Sequence, residues 1–363
     1  MTKRTLAVAG FLVVVFALVF SGCTKDGPPL PPYPDWKIIN IGRQWVVLDM
    51  SFKDRDTGYI LADFVSNDTT VGFRRGLLKT TDGGETWQGD TTLTPLSIST
   101  GIFAEGNKVY VSGFGDILRN NNVKPGYSSY VSTDAGHSWS HIDTVFKFNS
   151  RSFCAVNDSE NVAVFPVIGK SFHGRDSLQP VYTGLPQSFS FVQFPDSQTG
   201  YAAGGSAGNG ASVSSFAKST DGGNHWQPVT TSFGNVLSIH FLDANIGYIV
   251  SEEEQGSRLM ITNRDEKLYK TVNGGQSWQL VSQNILSDYG TIVPGLHFTS
   301  ATSGYMATSY TIYITNDGGR TWQKSFASPL IGGSSSISGL YFLPQNAGAF
   351  AYGGFGILIK KVK

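Results

Sequence analysis

One eight-residue pattern occurs five times and constrains this chain more than any other feature. It reads Ser/Thr-x-Asp/Asn-x-Gly-x-x-Trp, and its first copy is Thr80-Thr81-Asp82-Gly83-Gly84-Glu85-Thr86-Trp87. The others run from Ser132 to Trp139, Ser219 to Trp226, Thr271 to Trp278 and Thr315 to Trp322. Asp-Gly and Asn-Gly are strong hairpin signals, because a tight turn needs positive φ. The side chain of Asp82, Asp134, Asp221, Asn273 or Asp317 is expected to accept bonds from backbone N–H groups two residues on. The Ser/Thr hydroxyl supports the turn in the same way. Glycine at the fifth position removes a Cβ clash. Trp87, Trp139, Trp226, Trp278 and Trp322 then open the returning strand with a large apolar face. Turn chemistry accounts for every residue type, so the pattern predicts architecture rather than five ligand sites.

The pattern resembles the Asp-box, also called the bacterial neuraminidase repeat. That resemblance implies a β-propeller with the boxes on its outer rim, between the third and fourth strands of each blade and away from the active face. It does not imply sialidase activity.

A second signal repeats out of phase with the first. An aromatic ends an apolar strand, and six residues later a Gly opens the next one. Phe52 leads to Gly58, Phe194 to Gly200, Phe241 to Gly247, Phe298 to Gly304 and Phe342 to Gly348. Phe103 and Phe153 take the corresponding places in two variant units. These seven starts lie 41 to 57 residues apart, which fits blades of four short strands. Asp134 and Asp221 are 87 residues apart, close to two blades, so the third blade lacks an intact box. Its turn is expected near His173-Gly174-Arg175-Asp176. The last unit yields three strands, ending at Ile357-Leu358-Ile359-Lys360, while Trp36-Lys37-Ile38-Ile39-Asn40 reads like the fourth strands that follow the boxes. The expectation is an all-β, seven-bladed β-propeller of four-stranded antiparallel blades over residues 36–363. The N-terminal strand joins the last blade and closes it.

At the amino terminus, Lys3 and Arg4 precede an apolar run from Leu6 to Phe20. The run is about 15 residues, where a membrane helix needs about 20. With the small residues of Phe20-Ser21-Gly22-Cys23, it predicts a secretory signal over residues 1–22. Small-small-Cys is similar to a bacterial lipobox, which implies that Cys23 is lipidated and becomes the first mature residue. Thr24 does not resemble an inner-membrane retention signal, and Thr24-Lys25-Asp26 is similar to surface-export signals of Bacteroidota lipoproteins. The implied location is the outer membrane, on its periplasmic face or the cell surface. Residues 23–35 then form a linker in which five of seven residues from Pro28 to Pro34 are proline, a semi-rigid polyproline II spacer.

Without residues 1–22 the chain has 341 residues (363 − 22) and a formal charge of −2, since Lys3 and Arg4 leave 25 bases against 27 acids. No basic excess argues for nucleic acid. Cys154 is the remaining cysteine besides Cys23. It is expected to be a small buried residue. The six His show no metal-ligand spacing. No phosphate loop, Ser elbow or Cys/His arrangement appears, so no cofactor, metal or catalytic residue is expected.

In a propeller the loops between second and third strands lie on the face opposite the boxes. Four long insertions fall there and read as loops: Val65–Gly76, Gly115–Ser128, Gly205–Ser215 and Ser251–Lys267. Scaffolded loops are where binding usually resides. Arg74, Arg75 and Arg119 could hold an anion through charge-assisted bonds. Glu252, Glu253 and Glu254 with Arg258, Arg264 and Asp265 make a mixed charged loop. Consecutive Glu cannot all face one ion, which argues against a hard-cation site. Phe114, Tyr127, Tyr130 and Tyr310 offer a stacking surface for sugars.

Catalytic signatures of the sialidase superfamily are missing. The Phe-Arg-Ile-Pro tetrapeptide has no match, Gly72-Phe73-Arg74-Arg75 being nearest. Sialidase propellers have six blades, and related xyloglucanases set a cleft between two seven-bladed ones. Residues 45–363 look throughout like the photosystem II assembly factor family, a single seven-bladed propeller. The arginine patch of that family has no clear counterpart in Arg74, Arg75 and Arg119. The chain is therefore expected to be a non-catalytic, monomeric cell-envelope lipoprotein that binds a protein or glycan partner in an assembly or scaffold role. The alternatives are a glycoside hydrolase of the sialidase-like superfamily and a glycan-binding accessory of a nutrient-uptake system. For the anchor, Cys23→Ser should move the protein from the membrane to the soluble fraction on cell fractionation; unchanged membrane retention would count against lipidation.

Overall fold

The computed structural model describes residues 34–42, 44–65, 73–90, 99–119, 122–142, 152–157, 160–164, 167–171, 179–182, 189–208, 211–257, 260–283, 285, 295–327, 336–354 and 356–362. The signal, Cys23 and all but the end of the proline-rich linker lie outside them. The described chain is all-β, with one 3-10 turn at Pro344–Asn346, and its strands form four-stranded antiparallel blades of a propeller.

After β1 (Trp36–Asn40), the first sheet holds β2 (Trp45–Phe52), β3 (Gly58–Val65), β4 (Phe73–Thr80) and β5 (Gln88–Asp90). The second holds β6 (Ser99–Glu105), β7 (Lys108–Arg119), β8 (Asn122–Ser132) and β9 (Ser140–Ile142). The third holds β10 (Ser152–Asn157), β11 (Glu160–Val164), β12 (Ile168–Lys170) and β13 (Gln179–Tyr182). The fourth holds β14 (Phe189–Gln193), β15 (Gly200–Gly208), β16 (Ala211–Ser219) and β17 (Gln227–Pro228). The fifth holds β18 (Asn235–Phe241), β19 (Gly247–Ser257), β20 (Met260–Thr271) and β21 (Gln279–Gln283). The sixth holds β22 (His297–Phe298), β23 (Gly304–Ala307), β24 (Thr311–Thr315) and β25 (Gln323–Ala327). The last holds β26 (Ile337–Phe342), β27 (Ala349–Gly353) and β28 (Ile357–Lys361), with β1 paired along β28 from Trp36↔Lys361 to Asn40↔Ile357.

The middle strands are buried on both faces, which explains their continuous apolar runs. In β19, Ile249 joins Tyr201 and Phe216 of the fourth sheet, while Tyr248 and Val250 join Phe298 and Met306 of the sixth.

The two sequence signals meet inside each regular blade. Phe52 meets Trp87 edge to face at 5.9 Å, and Phe194–Trp226, Phe241–Trp278 and Phe298–Trp322 repeat this at 5.8, 6.0 and 6.2 Å. The same Phe ring lies flat on the Gly that opens the next strand. A Cβ on Gly58 would be 2.6 Å from the Phe52 ring, and one on Gly304 would be 2.7 Å from Phe298. The spacing of six thus marks a ring packed on bare backbone.

Three units depart from that spacing, and in the third sheet Phe153 lies near the start of β10 opposite Ala163 rather than at the strand's end. In the last sheet Phe342 pairs with Ala349, not Gly348, because the turn through Pro344–Asn346 is one residue longer. The Phe342 ring stacks instead on His297 at 3.7 Å. In the second sheet Ala104, not Phe103, takes the Phe position. Its N–H donates to Ser51 Oγ, as those of Phe52 and Phe241 donate to Tyr341 Oη and Gln193 Oε1 of their preceding sheets.

The box turns also correct an expectation. The Asp or Asn side chain accepts bonds four residues on, not two: Thr86 N donates to Asp82 at 3.0 Å, Ser277 N to Asn273 at 2.9 Å and Thr321 N to Asp317 at 3.0 Å. The Ser/Thr hydroxyl accepts from the second glycine, as Gly84 N does with Thr80 Oγ1 at 2.9 Å. Both turn glycines have positive φ, 70° and 85° at Gly83 and Gly84, while Ala135 holds the first place in the second box at 62°. The first glycine N–H donates to the turn after the blade's first strand, as from Gly83 to Asp56 O and Gly274 to Asn245 O, both 2.8 Å. The two turns therefore share one face.

The second glycine faces the preceding sheet. A Cβ there would strike Leu77 from Gly136, Val162 from Gly223, Phe216 from Gly275 and Leu268 from Gly319. From Gly84 of the first sheet it would strike Phe350 of the last. Lysines reinforce these seams. Lys218 Nζ donates to Gly274 O at 3.0 Å, and the fully buried Lys170 donates to Gly222 O at 2.7 Å and pairs with Glu160 at 3.2 Å. Lys170-Ser171 matches Lys218-Ser219, which starts the third unit's turn there; His173, Gly174, Arg175 and Asp176 lie outside the described residues. Cys154 on β10 is half-buried against the core between the third and fourth sheets, and burial pushes its thiol up to about 11.

Gly319→Ala should destabilise the fold by roughly 2–3 kcal/mol, through left-handed strain plus overpacking against Leu268. Ala135→Gly should stabilise it by about 1 kcal/mol by removing the same strain. Urea denaturation midpoints of the two variants test both signs.

Candidate functional site

The face opposite the box turns carries the candidate site, and its elements are strands where loops were expected. The β7–β8 ladder runs unbroken from Val109↔Ser132 to Arg119↔Asn122. The β15–β16 ladder reaches Gly208↔Ala211, β19–β20 reaches Ser257↔Met260, and β3–β4 reaches Val65↔Phe73. The insertions are arms that extend the two middle strands of a blade. Their polar and Gly-rich runs have the composition of a loop while the pairing is that of a strand.

The arms distribute the candidate residues among separate sheets. Arg74 and Arg75 sit on β4, opposite Phe64 and Asp63. Arg75 is buried and its Nε lies 2.8 Å from Asp63 Oδ1. Burial pushes the Asp63 carboxyl up and the Arg75 guanidinium down, each opposed by the other's charge. Arg75 is thus committed to an internal pair. Arg119 ends β7 at the tip of the second arm. Glu252, Glu253 and Glu254 lie on β19 opposite Glu266, Asp265 and Arg264, and Arg258 lies outside the described residues. Lys267 Nζ bonds Glu253 Oε2 at 2.6 Å and approaches Asp265 Oδ2 at 3.3 Å. Tyr130 packs edge to face on His141 at 5.1 Å, inside the core between the first and second sheets, so it is not part of an open platform. Phe114 and Tyr127 are paired in register on the second arm. Tyr310, in the short turn between β23 and β24, is exposed.

The box carboxylates are occupied by their own turns. Hydrogen bonds from the Thr86 hydroxyl and N–H hold Asp82 well below the usual carboxylate range, and those from Ser138 do the same for Asp134. The Thr321 hydroxyl and N–H bring Asp317 down to about 2. Bonds from His225 bring Asp221 to about 2 despite the opposing push of burial. Among the described residues no group of three or more His, Cys, Asp or Glu could hold a metal.

The buried titratable groups at the seams between sheets leave no mark in a linear pattern. Asp49 accepts from Ile102 N at 2.9 Å, Met50 N at 2.9 Å and Tyr352 Oη–H at 3.2 Å, and so joins the second, first and last sheets. Burial pushes its carboxyl up to about 6. His240 and His297 lie 4.2 Å apart across the seam of the fifth and sixth sheets, and His297 Nε2 bonds Asn346 Oδ1 at 2.7 Å. Burial depresses them to about 3 and about 4. Ser51, Gln193, His240, His297 and Tyr341 share one position, the residue before the strand-ending Phe, and each reaches the following sheet. That position is recognisable only once the blades are superposed.

The model for the BNR/Asp-box repeat matches residues 313–324, which span the last box. The photosystem II assembly lipoprotein Ycf48 of Synechococcus sp. (strain CC9902) is 27% identical over 139 residues, 38% of this chain and 35% of that protein. Ycf48 of Prochlorococcus marinus (strain MIT 9312) is 30% identical over 77 residues, 21% and 20% of the two chains. The chain thus matches about a third or less of the length of these relatives. A solved structure described as YCF48 bound to D1 peptide superposes with a TM-score of 0.63 at 20% identity, covering 93% of this chain and 100% of that one. The chain thus carries the BNR/Asp-box repeat and is similar to the photosystem II assembly lipoprotein in part of its sequence and in fold. A GH74 xyloglucanase from Xanthomonas campestris superposes with a TM-score of 0.60 at 15% identity, over 89% of this chain and 52% of that one. At such identities the likeness is one of fold.

In this BNR propeller the buried His pair makes a signed prediction. Both imidazoles titrate below their ordinary 6.5 when folded. As pH falls through 6.5 toward about 4, the unfolded chain takes up protons that the folded one refuses, and stability is lost. Asp49, raised when folded, acts in the opposite sense below about 6, but it does so equally in a His variant. Relative to His240→Gln, the wild-type protein should lose up to about 1.4 kcal/mol per pH unit over that window, measured by denaturation at fixed pH steps.

Proposed function

We propose that the protein is a non-catalytic lipoprotein propeller of the cell envelope whose arm-bearing face binds a segment of a protein partner, in an assembly or scaffold role. The observation that carries this reading is the set of hairpin arms raised on the face away from the boxes, while the perturbed acid–base groups are spent on seams between sheets. The peptide-bound propeller, matched along its whole length, supports a protein ligand over a sugar. The lipobox reading of Cys23 supports the anchor.

We further infer a closed, monomeric seven-bladed ring with β1 as the outer strand of the last blade. Supporting this, Phe52 stacks on Tyr341 and Phe350 at 5.9 and 5.4 Å. Glu85, in the first box, is held by Lys37 of β1 at 2.7 Å and Lys360 of β28 at 2.6 Å.

Replacing residues 251–267 by a short turn should abolish capture of a partner from envelope extract while leaving the melting curve cooperative. Undiminished capture would overturn the assignment of the face. Turnover of fluorogenic glycosides, abolished by changing one arm carboxylate, would instead establish a glycoside hydrolase. Glycan-array binding without turnover would establish the accessory reading.

A further inference from the structure

The fifth arm has two unlike faces, and one of them holds buried polar atoms that lack a hydrogen-bond partner. Ile249 and Tyr269 pack with Tyr201, Phe216 and Phe233, so their side of the β19–β20 hairpin looks toward the fourth sheet. Side chains two residues on share that side. It therefore carries Ser251 and Glu253 on β19 and, through Ser251↔Lys267 and Glu253↔Asp265, the facing pair on β20. Lys267 sits between the two carboxylates.

Two polar atoms there have no partner among the described residues. Ser251 Oγ belongs to a side chain with 0% exposure, and Asp265 Oδ1 is buried as well. Buried polar atoms ordinarily have a hydrogen-bond partner, and the arm itself supplies none for these two.

The opposing wall is low. On the fourth sheet Ala203↔Phe216 ends the shared core, and the next rung on that side is Gly205↔Ser214. Ser214 Oγ meets Thr231 Oγ1 at 2.9 Å and Phe233 O at 3.2 Å, which forms the floor.

Charge selects the occupant. In sequence the fifth arm carries five acids, Glu252, Glu253, Glu254, Asp265 and Glu266, against three bases, Arg258, Arg264 and Lys267. Its two strands also extend past their outer neighbours. The β18 ladder stops at Glu252 and the β21 ladder at Lys267, so beyond these rungs the described arm pairs only within itself. Strands that outrun their outer neighbours suit an extended segment.

We propose that the cleft between the fourth and fifth arms binds an extended basic peptide, whose guanidinium or ammonium groups donate to Glu253, Asp265 and Ser251. This rests on the reading that the arm-bearing face binds a protein. A bound cation competes with Lys267 for the two carboxylates and satisfies the orphaned Asp265 oxygen.

The test uses the full chain in detergent and two labelled octapeptides, one alternating Arg and Thr, the other Glu and Thr, read by fluorescence anisotropy at low salt. The Arg peptide should bind and the Glu peptide should not. The double variant Glu253→Gln, Asp265→Asn should bind the Arg peptide at least tenfold more weakly, with a melting midpoint that reports an intact fold. Lys267→Met, which releases both carboxylates, should bind several-fold more tightly. Wild-type affinity in the double variant, or weaker binding by Lys267→Met, would overturn the cleft. If the cleft fails while capture from extract still depends on residues 251–267, the face stands and only its ligand chemistry is wrong. If capture does not depend on them, the face itself is misassigned.

Discussion

Five of the sheets meet a neighbour through a box glycine that has no room for a Cβ. The second glycine of each box sits against Leu77, Val162, Phe216, Leu268 or Phe350 of the sheet before it. Positive φ is required at that residue by the turn, and close approach is required by the packing. One residue type meets both demands, and the rest of the architecture follows from it. The Trp three positions on lies edge-on to the Phe of its own blade, and that Phe covers the Gly of the next strand. Interiors packed this tightly respond to one added methyl group.

How much of this was legible depended on the kind of contact. Turn chemistry is local, so the boxes could be placed to the residue and the blade strands around them bounded closely. The hydrogen bonds inside the turn were misassigned, because Asp82 reaches Thr86 rather than the residue between. The Phe–Gly spacing was read correctly where the turn has its regular length. It failed at Phe342, where an extra residue carries Ala349 into register. It failed again at Phe103, where only the bond from Ala104 to Ser51 reveals the slip. Asp49, His240 and His297 were invisible because their significance comes from the neighbouring sheet, which a linear pattern does not contain.

The arms show the same limit on the functional side. Gly, Ser and charged residues in Ser251–Lys267 have the composition of a loop, and nothing in that composition forces pairing. The ladder beneath supplies the register, and each strand continues it outward. Placing Glu253 and Asp265 on a hairpin rather than a loop fixes which side they occupy. It also separates Arg75, spent on Asp63, from the groups that face outward.

The short strand β1 touches three sheets. It pairs along β28, Trp36 Nε1 donates to Ser325 Oγ of the sixth sheet at 2.9 Å, and Lys37 reaches Glu85 of the first. Any load applied at the amino terminus enters the fold through this strand. Five rungs, one indole bond and one ion pair would share it, and they join elements that are distant in sequence. Stripping β1 away would uncover the β28 edge and loosen the contact between the first and last sheets in the same event. A pull on the amino terminus would therefore load β1 before it reached the contacts of Phe52 with Tyr341 and Phe350, which also join the first and last sheets.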